Sequence, residues 1–270
     1  MLRAKDFRRM ARYALRGKWP LAVLVGFLAS LLGGRTVAGG GGMPSREREV
    51  DGGAVREFLG SDFCEAALPF VVVGLIVLIL WALATLVIGG TVSLGYARFN
   101  LKLVDGEDAG IADLFSQFHR FADGLVMKLL TGVYLFLWSL LIIPGIVKTY
   151  SYAMAVYILS ENPGMRPNDA ITASRRLMDG NKWRLFCLEL SFIGWQILCF
   201  VPLFFGIGLL GGLAILWEMP LLILLLIPLA LPLSMGTYIL VPYMEAARAS
   251  FYRSICRQAA GYTEEAGQEE

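Results

Sequence analysis

Charged residues are scarce in this chain of 270 residues: only 17% are Asp, Glu, Lys or Arg, whereas 57% are hydrophobic. A soluble domain normally carries about 25% charge, so the polar side chains are too few to cover a water-facing globule. The apolar residues also occur in runs close to the length of about 20 residues that a membrane-spanning helix needs. We therefore expect an all-α integral membrane protein with much of its surface covered by lipid.

The residues that build most catalytic centres are also missing. The chain has one histidine, His119, and four cysteines without a CxxC pair. Its glycine clusters at 39–42 and 206–212 lack the Lys-Ser/Thr pair or the strand–turn–helix setting that phosphate-binding loops require. We therefore expect no enzymatic activity, no metal site, no cofactor and no nucleic-acid partner.

The apolar runs predict a bundle of six transmembrane helices. Basic residues before the run from Pro20 to Leu32 and the stretch Thr36-Val37-Ala38 also resemble a signal peptide, but we expect the leader to be retained. Pro144-Gly145 is expected to turn the chain between the third and fourth spans, and residues 206–212 with Glu218-Met219-Pro220 between the fifth and sixth. The six predicted spans cover residues 19–33, 67–90, 125–143, 146–160, 184–206 and 219–243.

Lysine and arginine are distributed unevenly between the two sides of this arrangement. Nineteen of the 24 fall in the leader, the second and fourth connections and the tail. Cytoplasmic segments of membrane proteins carry the excess of Lys and Arg, so both termini are expected in the cytoplasm. The other side receives only five cations: Arg35, Arg46, Arg48, Arg56 and Lys148.

A threefold repeat is also predicted. An amphipathic helix precedes each odd-numbered span, and the three helices reach Gly17, Gly124 and Gly180, where a left-handed residue can close a helix. The predicted fold is three hairpins, each preceded by a cytoplasmic interfacial helix, within a single membrane domain of residues 1–270. The repeat units cover about 1–104, 109–160 and 167–256, with a flexible extracytoplasmic loop at 34–66 and a disordered acidic tail at 258–270.

Two groups of residues are candidates for function. Ionisable groups at membrane depth are costly and often functional. One interpretation is therefore a polar cavity. The other is that Glu189 pairs with Arg184 and Glu245 with Arg248, and that these pairs only fix helix ends. The cavity candidates are Glu189, Gln196, Tyr243 and Glu245. The candidates for contact with lipid headgroups are Lys18, Trp19, Arg175, Arg176, Lys182 and Trp183.

Two long stretches, LWSLLIIPGIVKTYSYAMAVYILSENPGM and DAITASRRLMDGNKWRLFCLELSFIGW, resemble a bacterial integral-membrane family catalogued as domain of unknown function 975. The resemblance implies a multi-pass protein of the bacterial plasma membrane without an assigned activity, distantly similar to membrane domains found beside glycerophosphodiester phosphodiesterases. Ser191 and Gly194 are expected to permit close helix contact. The motif residues are Pro144, Gly145, Tyr152, Asn162, Pro163, Ser174, Met178, Gly180, Lys182, Trp183, Phe186, Ser191, Gly194 and Trp195.

Three functions are compatible with these features. The first is non-enzymatic handling or sensing of lipids or other amphipathic molecules at the cytoplasmic leaflet, with membrane lipids as partners. The second is a transporter or channel-like pathway, which would need a water-accessible cavity lined by Glu189, Gln196 or Glu245. The third is an accessory scaffold subunit with a membrane-protein partner.

Overall fold

The computed structural model describes residues 3–33, 62–216 and 235–266, and the regular elements in these ranges are helices. A 3-10 turn lies at Phe118–Arg120. In chain order, the α-helices are α1 (Ala4–Ala14), α2 (Trp19–Leu31), α3 (Asp62–Asp105), α4 (Ile111–Phe115), α5 (Phe121–Ser139), α6 (Ile142–Tyr152), α7 (Ala155–Glu161), α8 (Pro167–Leu177), α9 (Lys182–Leu216) and α10 (Met235–Ala266).

Helix α1 has one apolar and one cationic side. Its first turn is capped by Asp6, whose carboxylate accepts a hydrogen bond of 2.8 Å from the backbone N–H of Arg3. Phe7 and Ala11 are buried, and the ring of Phe7 meets that of Phe251 on α10 edge-to-face at 5.3 Å. The helix closes before Gly17, whose φ of 81° is accessible at little cost only to glycine.

Glycines permit the close crossing of α3 and α5. A Cβ atom added at Gly124 on α5 would lie 2.7 Å from the backbone nitrogen of Thr91, and one added at Gly90 would overlap the Gly124 carbonyl. Backbones can approach this closely only where side chains are absent. The expectation that Gly124 closes an interfacial helix is therefore wrong, because this glycine lies inside α5 and serves the packing of two helices.

The buried core lies at one end of the long helix α3. Residues from Val92 to Leu103 on this helix are largely buried, whereas Val72 to Val87 on the same helix are mostly exposed apolar side chains. The shorter helices α1, α4 and α7 pack around the buried part together with α10, and α8 packs on α7. The molecule thus combines a well-packed end with apolar helices that project from it.

The projecting helices have the properties of membrane spans. Three stretches are long and apolar enough to cross a bilayer: Val72–Asp105, Ile111–Ser139 and Lys182–Leu210. The bent pair of α1 and α2, with 104° between its helices, would make four if it counts as one span. At most 11% of each apolar window is buried among the described residues. An all-helical fold with three or four helices suited to a membrane is therefore confirmed, whereas six spans and three hairpins stay predictions.

The structure changes the predicted ends of several spans. Helix α2 has 13 residues, about 20 Å in length, which is shorter than the hydrocarbon core of about 30 Å. Residues 146–160, predicted as one span, are divided between α6 and α7 by a break at Ala153 and Met154. The chain turns at Leu140 and Leu141, not at Pro144-Gly145, because proline fits the first turn of α6, where its missing N–H has no partner to lose.

Helix α9 extends further than predicted. It continues through residues 206–212 to Leu216, so the expected turn in this glycine-rich stretch is wrong. Glycine is tolerated in apolar helices of membrane proteins, and Glu218-Met219-Pro220 lies outside the described residues. Of the predicted loop at 34–66, residues 34–61 also lie outside the described residues, and residues 62–66 begin α3. Residues 258–266, placed in the predicted tail, continue α10 as helix, while 267–270 are outside the described part.

Candidate functional site

A basic cavity opens between α1, α9 and α10. Its volume is about 300 Å³. The cationic wall comes from α1, and the aromatic wall comes from one residue on α9 and one on α10. The lining residues are Lys5, Arg8, Arg9, Arg12, Trp195 and Tyr243.

Helical spacing places the four cations of α1 on the cavity side. They stand three, four and seven positions apart, which puts them on one face of an α-helix. The opposite, apolar face of α1 is held against α10 by Phe7 and Ala11. Each pair of like charges at this spacing destabilises an isolated helix by about 0.2–0.5 kcal/mol. The cationic face therefore favours an anion beside it.

Hydrogen bonds and rings fix the aromatic wall. The Tyr243 hydroxyl donates to the backbone carbonyl of Arg8 at 3.1 Å and so ties α10 to α1. The Tyr243 ring stands edge-to-face against Phe192 at 5.1 Å and lies 6.2 Å from the ring of Trp19. Trp195, in contrast, is 55% exposed. The cavity thus has one fixed aromatic side and one side open to the surroundings.

The cavity is electrostatically one-sided. None of the described residues that line it carries a carboxylate. Lys5, Arg9 and Arg12 are exposed and form no ion pair with the described residues. Arg8 is half-buried, and its guanidinium lies 3.5 Å from the carbonyl of Ser191, which accepts its hydrogen bond. Three of the four charges are therefore free to meet an anion.

A second polar cluster joins α9 and α10 nearby. Arg248 donates hydrogen bonds of 2.8 Å to both Glu189 and Glu245. The remaining oxygens of these carboxylates accept bonds from the hydroxyl of Tyr150 at 3.0 Å and from that of Tyr157 at 3.2 Å. All three charged side chains are at most 14% exposed. The carboxylates are thus satisfied by internal partners rather than directed into the basic cavity.

The four residues predicted to line a polar cavity therefore separate. Glu189 and Glu245 meet on Arg248, while Tyr243 lines the basic cavity. The amide nitrogen of Gln196 lies 3.4 Å from the sulfur of Met244.

The alternative interpretation paired Glu189 with Arg184 on the same helix. The partner of Glu189 is instead Arg248 on another helix, and Arg184 contacts Asn181 and Gln258.

The predicted headgroup residues fall into two groups. Lys18 donates to the carbonyl of Glu107 at 2.8 Å, and Trp19 is half-buried beside Tyr243. Lys182 lies 3.6 Å from the carboxylate of Asp179. The residues that remain exposed on the surface are Arg175, Arg176 and Trp183.

Sequence reasoning predicted an amphipathic helix in this region but did not place its cations in a site. The sequence does not show which residues face these cations, because Trp195 of the aromatic wall lies far along the chain from α1. A Cβ at Gly194 would meet none of the described residues within 4 Å, so the close helix contact expected at this glycine is not seen in the described part of the chain.

The comparisons with known proteins identify part of the chain. The family model described as protein of unknown function (DUF975) covers the region from the α5–α6 turn to α10. Residues 140–259 match this family. The predicted resemblance is confirmed over this DUF975 region, which carries Trp195, Tyr243 and the carboxylate cluster but not α1. The searches of the curated proteins and of the solved structures gave no match.

Proposed function

We propose that this chain is a non-enzymatic protein of the bacterial plasma membrane that binds or senses anionic lipids at the cytoplasmic leaflet. In this proposal it crosses the membrane six times as three hairpins and has both termini in the cytoplasm. The observation that carries the proposal is the orientation of α1. This helix packs its apolar side on the protein, presents Lys5, Arg9 and Arg12 outward, and lies at 104° to the apolar helix α2.

That geometry suits a helix in the membrane interface. If α2 runs across the bilayer, a helix at 104° to it runs close to the membrane plane. Helices in this plane have cations on the polar side, where anionic headgroups lie. Each such cation contributes about 1 kcal/mol of attraction to a charged leaflet. Helix α8 supports the proposal in the same way, because its Ala170 and Ile171 are buried while Arg175 and Arg176 are exposed.

The repeat is supported at two of its three copies. Helices α1 and α8 each have 11 residues and are followed by a glycine with positive φ, 81° at Gly17 and 74° at Gly180. An apolar helix begins two residues after each glycine, at Trp19 and Lys182. The middle copy differs, since α4 has five residues and α5 begins without a glycine turn.

Cysteine accessibility tests the topology. Single cysteines at positions 45 and 218 are expected to react with an impermeant maleimide on intact cells, and single cysteines at 107 and 164 only after permeabilisation. The native cysteines are replaced by serine in each variant. Labelling of position 164 on intact cells would contradict the six-span arrangement with cytoplasmic termini.

Reconstitution tests the lipid function. The purified full chain is placed in liposomes of zwitterionic phosphatidylcholine with or without phosphatidylglycerol, and lipid retention and lipid movement between leaflets are measured. We expect preferential retention of the anionic lipid or its faster movement. A protein that shows neither headgroup preference nor lipid movement would refute the proposal.

Transport receives less support from the same structure. Glu189 and Glu245 are occupied by Arg248 and two tyrosines. The basic cavity is lined by Tyr243 but by neither carboxylate and not by Gln196. These contacts favour a structural role for the cluster, so lipid binding is the function that we propose.

A further inference from the structure

We propose that the basic cavity binds one anionic phospholipid, with its phosphate among the cations of α1 and an acyl chain along α9. This inference rests on the proposed function and names the ligand and its site. It differs from a general attraction between a basic surface and a charged membrane, because it requires particular residues on α1 and α9.

The charges select a phosphate-bearing anion. The cavity holds four cations and no carboxylate, and three of these cations have no ion-pair partner among the described residues. Guanidinium groups bind phosphate through two parallel hydrogen bonds, and three of the four cations are arginines. A lipid that carries an amine beside its phosphate would place a positive charge among them, so a headgroup with net negative charge is favoured.

The size of the cavity fits a headgroup rather than a whole lipid. Its volume of about 300 Å³ is at the lower end of the range of small-molecule sites. The acyl chains must therefore leave the cavity over the protein surface. Trp195 stands at this exit, and an indole ring suits the boundary between headgroups and hydrocarbon.

An apolar path continues from the exit along α9. Residues 195, 198, 205 and 209 share one face of this helix by their spacing. Their side chains are exposed by 55% at Trp195, 59% at Leu198, 71% at Phe205 and 53% at Leu209. A free phosphate would leave this face uncovered, whereas an acyl chain would lie against it. The combination of a cationic cavity and an adjoining apolar face therefore indicates a lipid.

The decisive measurement counts lipids bound to the full-length protein by native mass spectrometry in detergent. The probes are phosphatidylglycerol and phosphatidylcholine. The cavity variant is Arg9→Gln/Arg12→Gln, and the matched control is Arg166→Gln/Arg257→Gln, which removes two arginines that are exposed elsewhere on the surface. We expect the cavity variant to bind phosphatidylglycerol on the order of a hundredfold more weakly, because it loses two charge-assisted hydrogen bonds to the phosphate. The control should bind it as the unmodified protein does.

The outcomes separate this inference from the proposed function. Preference of the unmodified protein for phosphatidylglycerol with equal losses in both variants would overturn the cavity and leave a general basic surface. A lack of any preference would refute both proposals. Inorganic phosphate that displaces the lipid at equal concentration would overturn the role of the acyl chain. A Trp195→Ala variant adds a check, because weaker binding of phosphatidylglycerol without a lower melting temperature supports the exit, and unchanged binding contradicts it.

Discussion

Replacement of Arg248 by glutamine should destabilise the protein severely, because two buried carboxylates would lose the cation that they share. Both ion pairs are 2.8 Å long, and the exposed fraction is 13% for Arg248, 14% for Glu189 and 9% for Glu245. Breaking a buried ion pair by removing one partner costs about 3–5 kcal/mol. For a protein of this size, that loss corresponds to a fall in the melting temperature on the order of 10 °C.

A second substitution in the same cluster tests whether the stability is lost because negative charge is left without a cation. Two carboxylates and one guanidinium leave a surplus negative charge, so Glu245→Gln removes the surplus and keeps a polar partner for Tyr157. We expect Glu245→Gln to cost less than about 1.5 kcal/mol, the contribution of an ordinary hydrogen bond. Thermal unfolding of the purified protein in detergent measures both variants, with Arg175→Gln as the exposed control. Equal melting temperatures for Arg248→Gln and Arg175→Gln would show that the cluster does not stabilise the fold.

Three further variants test the packing and the turns by the same unfolding measurement. The Gly124→Ala variant should lose about 1–3 kcal/mol of unfolding free energy through overpacking against α3. On the same helix, a Cβ at Gly132 would meet no described residue within 4 Å, so Gly132→Ala should be neutral or gain up to about 1 kcal/mol. The reverse order would contradict the close crossing. Gly17→Ala should cost about 1–2 kcal/mol because its φ is 81°, and an unchanged melting temperature would argue against a left-handed residue there. Lys128→Met should cost about 1–3 kcal/mol, because the Lys128 ammonium donates hydrogen bonds of 2.9 Å to the carbonyls of Gly33 and Thr85. A more stable variant would show that burying this cation costs more than its two hydrogen bonds contribute.

Periodic patterns predicted the fold best where a helix has two different faces. Residues Ala170, Ile171 and Ser174, with either Leu177 or Met178, were expected on one stripe of the third interfacial helix; the first three and Met178 are buried, whereas Leu177 is half-buried. The glycine that ends this helix was also predicted correctly, with Gly180 at a φ of 74°. These features depend on neighbours within two turns of helix, so the local sequence contains the necessary information.

Glycine could not be interpreted so reliably, because it serves two physical roles. Gly17 provides a left-handed turn, whereas Gly124 permits two backbones to approach inside α5. The sequence around both glycines contains an amphipathic stretch before and an apolar stretch after, so it predicts the same turn. Only the position of Thr91 on another helix distinguishes the packing role, and that position is a property of the tertiary structure.

Charge pairs across long sequence distances were likewise beyond local reasoning. Glu189 was expected to pair with Arg184, which is five residues away, yet its partner Arg248 is 59 residues away. The same limitation hid the basic cavity, whose cations on α1 and aromatic residue on α9 are far apart along the chain. Glu189 and Glu245 of the cluster and Tyr243 of the cavity were predicted as site residues, but not the partners they meet, because helix packing determines which faces meet.

The carboxylate cluster and the basic cavity share the same two helices, and this connects stability with the proposed binding. Glu189 lies six residues before Trp195 on α9, and Tyr243 lies two residues before Glu245 on α10. The bond from Arg248 to Glu189 joins α10 to α9, while Tyr243 joins α10 to α1 through the carbonyl of Arg8. The walls of the cavity belong to these three helices. We therefore infer that the ion pair between α9 and α10 helps to position the cavity without supplying a ligand to it.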